Sequence, residues 1–288
     1  MLSNPWVRSI RPHQWSKAAL VIAAPFAAFH VSVAIGTQLA VAVALACVAA
    51  SGTYLLNDAI DAPADRLHPM KRDRPIASGA IGRFEAVFVA VVLLAAAPAV
   101  GRFVNGPTGL ALVAYVALTI AYSTKLKEIA IVDIATIAAG FVVRVLIGAA
   151  ATHTPVSRWF LLAVGAAAVM VAAGKRRGEV HELGTGAVAH RKSLGVYHDA
   201  MTSRLLVGAA SVLFLGLIAW AVIGGGGPQL EEGWAALLLV PAAAGIGRYL
   251  TIALRGKASA PELLVRDRGL QVAGLATVVV FVVGNLVS

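Results

Sequence analysis

The apolar residues of this chain come in blocks close to the roughly 20 residues that an α-helix needs to cross a bilayer. We read nine such blocks, at roughly 18–36, 38–57, 84–102, 108–122, 129–151, 157–175, 204–223, 234–254 and 269–287. No short-period repeat and no separate soluble domain interrupts the series. The expected fold class is therefore all-α integral membrane: nine transmembrane helices forming one membrane-embedded domain over 1–288. Only 13% of the residues are charged, against about 25% in soluble domains.

The cations that remain are distributed unevenly. Arg8, Arg11 and Lys17 precede the first block. Arg66, Lys71, Arg72, Arg74 and Arg83 separate the second from the third, and Lys125 and Lys127 the fourth from the fifth. Lys175, Arg176, Arg177, Arg191, Lys192 and Arg204 follow the sixth, and Arg255, Lys257, Arg266 and Arg268 the eighth. The alternate loops hold only Arg102 and Arg158. Basic loops stay cytoplasmic, so the N-terminus is expected inside a plasma or inner membrane and the long loops, about 57–83, 123–130 and 175–203, on the cytoplasmic face. The same bias accounts for much of the net charge of +10 without a nucleic-acid partner, and aromatic residues do not interleave with the basic clusters. A basic start before an apolar run is also how a cleaved signal peptide begins, but this run is too long for one. Cys47 stands alone and is read as a small core residue.

The chemistry concentrates where the second block ends, in NDAIDAPADRLHPMKRDRP at 57–75. Asp58, Asp61 and Asp65 fall at i, i+3 and i+7, one face of a helix, and Asn57 adds a neutral oxygen beside them. Carboxylates that close repel one another unless a cation sits among them. An oxygen-only ligand set points to Mg²⁺, which binds through a few carboxylates together with substrate phosphates. Pro63 is expected to kink or fray the helix end, which leaves the lateral position of Asp65 less defined than those of Asp58 and Asp61. The bland alternative is a solvated helix end whose acids pair with Arg66 and Lys71.

N-D-x-x-D-x-x-x-D followed by R-P-I-A-S-G at 74–79 resembles the first Asp-rich motif of the UbiA-type intramembrane prenyltransferase superfamily. That likeness implies nine transmembrane helices around a central cavity. It also implies a prenyl diphosphate held through Mg²⁺ on two Asp-rich motifs. The second motif departs from the pattern: GKRRGEVHELGTGAVAHRKSLGVYH at 174–198 carries Lys175, Arg176, Glu179 and Glu182 where aspartates are expected. One acidic and one cationic cluster suit a substrate with more phosphate than its metal neutralises. This departure resembles the decaprenyl-phosphate phosphoribosyltransferase branch, as do RPHQWSKAALVIAAP at 11–25, YSTKLKEIAIVDIATIAAGFVVRVLIGAAAT at 122–152, GKRRGE at 174–179 and RKSLGVY at 191–197. The resemblance implies an Mg²⁺-dependent glycosyltransferase. It would move 5-phosphoribose from 5-phosphoribosyl 1-diphosphate (PRPP) to decaprenyl phosphate for cell-wall arabinogalactan synthesis, with membrane lipid around it and any homo-oligomer left open.

Residues fall into roles within that reading. Asp58, Asp61 and Asp65 with Asn57 are the metal set. Lys71, Arg72, Arg74 and Lys127 are placed on the donor's phosphates, because Arg offers a planar fork and Lys a point charge. For the first three the competing explanation is the positive-inside signal with lipid headgroup contact. Lys17, Arg66, His68, Tyr122, Lys175, Arg176 and Glu179 complete the matching blocks as substrate-binding candidates. Arg191, Lys192 and Tyr197 are read as holders of the acceptor phosphate or as a lid. Asp133 and Arg144 are eleven residues apart, about three turns, and share a stripe. Buried ionisable residues there either line a cavity or pair structurally with a neighbouring helix. His13, His30 and His153 are read as interface residues. Two rival functions are carried: a prenyltransferase with an aromatic acceptor, and an anion transporter, which would spread its charges through the bilayer depth.

Overall fold

The computed structural model describes residues 4–30, 32–68, 70–184, 192–224, 230–259 and 266–287. Its helices are α1 (Pro5–Ile10), a 3₁₀ segment (Pro12–Ile22), α2 (Ala23–Ala27), α3 (Val33–Arg66), α4 (Arg83–Val104), α5 (Gly106–Thr124), α6 (Val132–Ala151), α7 (Arg158–Leu183), α8 (Asp199–Ile223), α9 (Glu232–Leu254) and α10 (Arg268–Val287). Eight of them, α3 to α10, are long and apolar enough to cross a membrane among the described residues. The chain is thus a multi-pass helical membrane protein. The ninth expected span, at 18–36, is not among the eight. Its residues form the end of the 3₁₀ segment and the short α2, and Phe29 takes a left-handed φ of 50°. Pro25 lies within this stretch and has no N–H to continue a helical ladder.

The chain divides into two compact units. The first contains residues 1–26, 30–123 and 143–154, and the second residues 27–29, 124–142 and 155–288.

In the first unit α3 packs along α4. Leu55, Ala59, Ala62, Ile76, Ile81, Ala86 and Ala90 form one core cluster, and Ala42, Ala46, Ala49, Leu112, Tyr115 and Ile147 belong to another. Small side chains allow helix backbones to approach closely. At Gly148 the approach is extreme, since an added Cβ would fall onto the carbonyl oxygen of Val21. Gly148→Ala is therefore expected to lower stability by about 1–3 kcal/mol, read as a reduced melting temperature in detergent beside a neutral Gly36→Ala control, where nothing lies within 4 Å.

Ser32 starts α3, its hydroxyl accepting from the Ile35 amide at 3.3 Å. The helix then runs 34 residues, about 50 Å at 1.5 Å per residue, against an apolar core of about 30 Å. Its last turns, which hold the aspartates, thus extend beyond the apolar run. Pro63 lies inside the helix, which continues to Arg66.

In the second unit α7 packs on α8, and α9 on α8 and α10. Ala163, Ala166, Met170, Leu206, Leu213 and Tyr249 belong to its core. Arg177 ties the helix ends together: its Nε donates to the Leu254 carbonyl at 3.0 Å, and its Nη1 to the Asp199 carbonyl, Thr202 Oγ1 and Ser203 Oγ at 2.9–3.0 Å. The Leu254 contact satisfies a carbonyl at the C-terminal end of α9 that has no partner within its own helix.

Candidate active site

Asp58 and Asp65 are two turns apart on α3, and each is 4% exposed. The segment after the helix folds back over them. Successive turns close it, from Lys71 N to His68 O, Arg74 N to Lys71 O and Ser78 N to Arg74 O. Ile76, Ala77 and Ile81 are buried, and Arg66 straps the segment through Nε to the Ala77 carbonyl at 3.0 Å. Gly79 turns with φ 83°, a conformation that costs a residue without Cβ little.

The fold-back delivers Arg74 to the acids. One nitrogen, Nη1, donates to Asp58 Oδ1 at 3.1 Å and to Asp65 Oδ2 at 2.7 Å. Lys71 Nζ lies 4.0 Å from Asp65 Oδ1. Arg11 comes from the opposite direction in sequence. It caps α1 in a left-handed conformation, its guanidinium lies 5.3 Å from the centre of the Tyr54 ring, and its Nη2 donates to Asp58 Oδ1 at 2.5 Å.

A cavity of about 330 Å³ opens on this cluster, lined by Arg8, Arg11, His13, Asp58, Met70, Asp73, Arg74 and Pro75. Of the expected metal set, Asp58 and Asp65 share one cation. The helix continues past Pro63 and carries Asp65 two turns beyond Asp58. Asp61 is half-buried on the same helix. Among the described residues no three His, Cys, Asp or Glu side chains converge as a metal-holding group. Asn57 Oδ1, however, is buried without a hydrogen-bond partner. A neutral acceptor oxygen left over on the stretch of α3 that carries the two buried carboxylates suits Mg²⁺, which takes few protein ligands and fills its shell from water and phosphate. The donor set fits the ion.

The remaining candidates near this helix are more dispersed. Arg72 is exposed, and so is Lys17. His68 is half-buried, its Nδ1 accepting from the Met70 amide at 3.1 Å. Tyr122 is half-buried near the end of α5. Arg144 lies 4.8 Å over the Tyr115 ring and donates from Nη2 to its hydroxyl at 2.9 Å.

In the second unit the candidates on α6 and α7 form a tight ionic cluster. Asp133 is fully buried, and Arg176 is 3% exposed. Arg176 donates from Nε to Asp133 Oδ2 at 2.9 Å and from Nη1 to Glu179 Oε2 at 2.6 Å. Lys175, on the exposed side, reaches Glu179 Oε1 at 3.8 Å. Tyr197 is buried. It donates its hydroxyl proton to Asp133 Oδ1 and accepts from the Ile131 amide. Burial and that bond to Asp133 push its hydroxyl well above the usual tyrosine range. Tyr197 thus sits in the core rather than as an exposed phosphate holder or lid. Asp133 and Arg144, expected on a common stripe, belong to different units and have separate partners.

Glu182 accepts from Ser259 Oγ, so both glutamates of the cationic motif are engaged within the protein. Lys127 is half-buried, with its carbonyl accepting from Ser193 Oγ at 3.3 Å. Arg191 lies outside the described residues, as does the side chain of Lys192.

Arg8, Arg11, His13 and Asp73 line the cavity although none was read as a site residue. The block at 11–25 holds a signal for Arg11 and His13, but in the sequence Arg11 reads as a membrane-orientation charge and His13 as an interface residue. Nothing local to the sequence marks Arg8 or Asp73.

Residues 18–266 match the model of the UbiA prenyltransferase family. The chain is 36% identical over 276 residues to decaprenyl-phosphate phosphoribosyltransferase of Mycobacterium tuberculosis, a match covering 94% of this chain and 90% of that one. It is 34% identical over 287 residues to decaprenyl-phosphate phosphoribosyltransferase of Corynebacterium glutamicum, covering 96% and 85%. A solved structure of a UbiA homologue from Archaeoglobus fulgidus bound to GPP and Mg²⁺ superposes with a TM-score of 0.72 at 16% identity, over 99% of both chains.

Proposed function

The chain belongs to the UbiA prenyltransferase family, and we propose that it transfers 5-phosphoribose from PRPP to decaprenyl phosphate, releasing pyrophosphate with inversion at the anomeric carbon. The observation that carries this reading is the cavity in which Asp58 stands among Arg8, Arg11 and Arg74. In its lining Arg8, Arg11 and Arg74 outnumber Asp58 and Asp73, so the cavity favours an anion. The names of the relatives agree with it, as does the replacement of the second Asp-rich motif by residues engaged in ion pairs and hydrogen bonds of their own.

Asp58 and Asp65, with Asn57 and the adjacent Asp61, would hold Mg²⁺. When bound, the ion would neutralise charge developing on the departing pyrophosphate. Arg74 and Arg11 are held at the carboxylates by hydrogen bonds and can turn to phosphate oxygens once another cation neutralises the acids. Lys71 and Arg72 are further phosphate partners in this scheme. The bond between the anomeric carbon and the diphosphate oxygen breaks, and a lipid phosphate oxygen bonds to that carbon from the opposite face. The sugar passes through oxocarbenium character, as in other glycosyl transfers. The nucleophile is already an anion, so no general base is required, and catalysis rests on positioning and fixed charge. We place the N-terminus and the site on the cytoplasmic face, where PRPP is supplied.

Purified protein in detergent, given radiolabelled PRPP, decaprenyl phosphate and Mg²⁺, is expected to yield an organic-extractable phosphoribosyl lipid, and chelation with EDTA to stop it. Absence of that product, together with turnover of a prenyl diphosphate onto an aromatic acceptor, would decide for the alternative family chemistry.

A further inference from the structure

We propose that the N-terminal segment provides a separate subsite for the sugar's 5-phosphate, anchored by Arg8 with His13 beside it. This rests on PRPP being the donor. The three cavity arginines are not in equivalent states. Arg11 and Arg74 are tied to buried carboxylates. Arg8, on α1, is exposed, and its Nη2 donates to a neutral acceptor, the backbone carbonyl of Asp73, at 3.1 Å. That bond orients the guanidinium without neutralising it. Arg8 therefore offers the cavity a positive charge that does not have to be released from an acid first.

The character of the cavity identifies its ligand class. At about 330 Å³ it lies at the small end of ligand pockets, which run from roughly 300 to 1,000 Å³. Among the described lining residues, Arg8, Arg11, His13, Asp58, Asp73 and Arg74 are ionisable, which suits a phosphosugar. Asp58 marks the end at which a metal-held diphosphate would bind. A second phosphate on the same small molecule needs its own cation, and the lining supplies Arg8 and the exposed His13 ring. The Asp73 carboxylate also lines the cavity and opposes an anion, which makes the charge of Arg8 the deciding contribution.

The test is direct binding in detergent with Mg²⁺, by calorimetry or competition with radiolabelled PRPP, without turnover. Arg8→Gln is expected to weaken PRPP and ribose 5-phosphate binding about tenfold or more, the range of a lost charged hydrogen bond, while pyrophosphate binding changes less than twofold. Arg8→Lys, which keeps the charge, should recover part of the loss, and melting temperatures should match wild type. Equal weakening of PRPP and pyrophosphate would overturn the subsite, as would unchanged PRPP binding. A wild-type protein that ignores PRPP yet binds a prenyl diphosphate would instead overturn the donor assignment, and the subsite with it.

Discussion

Asp58→Asn is expected to reduce phosphoribosyl-lipid formation by two to three orders of magnitude, roughly what removal of one preorganised electrostatic group costs an enzyme. The substitution keeps the side chain's shape and removes its charge. In the structure that charge faces two guanidinium groups, Arg11 at 2.5 Å and Arg74 at 3.1 Å. Both arginines are partly exposed, so water can screen them when the acid is lost, and the stability penalty should be small beside the catalytic one. Melting temperature and turnover measured together separate the two effects. Mn²⁺ affinity, followed by electron paramagnetic resonance, reads the metal assignment without turnover and should fall in the same variant. Near-normal rates with unchanged Mn²⁺ binding would remove Asp58 from the metal site.

The second large effect is on stability, in the second unit. Asp133 and Arg176 form an ion pair with side chains 0% and 4% exposed, and Tyr197 donates to the same carboxylate. Removing one partner of a buried pair costs about 3–5 kcal/mol; without Asp133, Arg176 keeps Glu179 at 2.6 Å, which places Asp133→Asn toward the lower end. Asp133→Asn or Arg176→Gln is therefore expected to unfold well below wild type in detergent, with activity lost in proportion to the folded fraction. Tyr197→Phe, which deletes one hydrogen bond to the carboxylate, should cost about 1–3 kcal/mol. The double variant Asp133→Asn with Arg176→Gln should be less damaged than the sum of its parts, since no unpaired charge remains. A stable Asp133→Asn protein lacking activity would show instead that this carboxylate serves the substrate.

Parts of this were legible in advance because they depend on local chain properties. Blocks of about 20 apolar residues define spanning helices whatever lies beside them, and all eight long helices fall on blocks read that way. The i, i+7 spacing placed Asp58 and Asp65 on one face of a helix, which the structure retains through Pro63. The segment around 18–36 was harder, because composition alone cannot distinguish one long helix from a 3₁₀ segment and a short α-helix. Its prolines at 12 and 25 were the available signal.

The amino-acid sequence by itself determined a helical, membrane-spanning chain with an acidic helix end and a basic loop, because hydropathy and helical periodicity act over a few turns. Tertiary structure alone decided the partners. Arg11 lies 47 residues from Asp58, and Arg176 and Tyr197 lie 43 and 64 residues from Asp133. Periodicity states which way a side chain faces and not what it meets. Hence the site candidates Asp133, Arg176 and Tyr197 meet in one buried cluster, while Arg8 and Arg11, which resembled orientation signals, line the cavity.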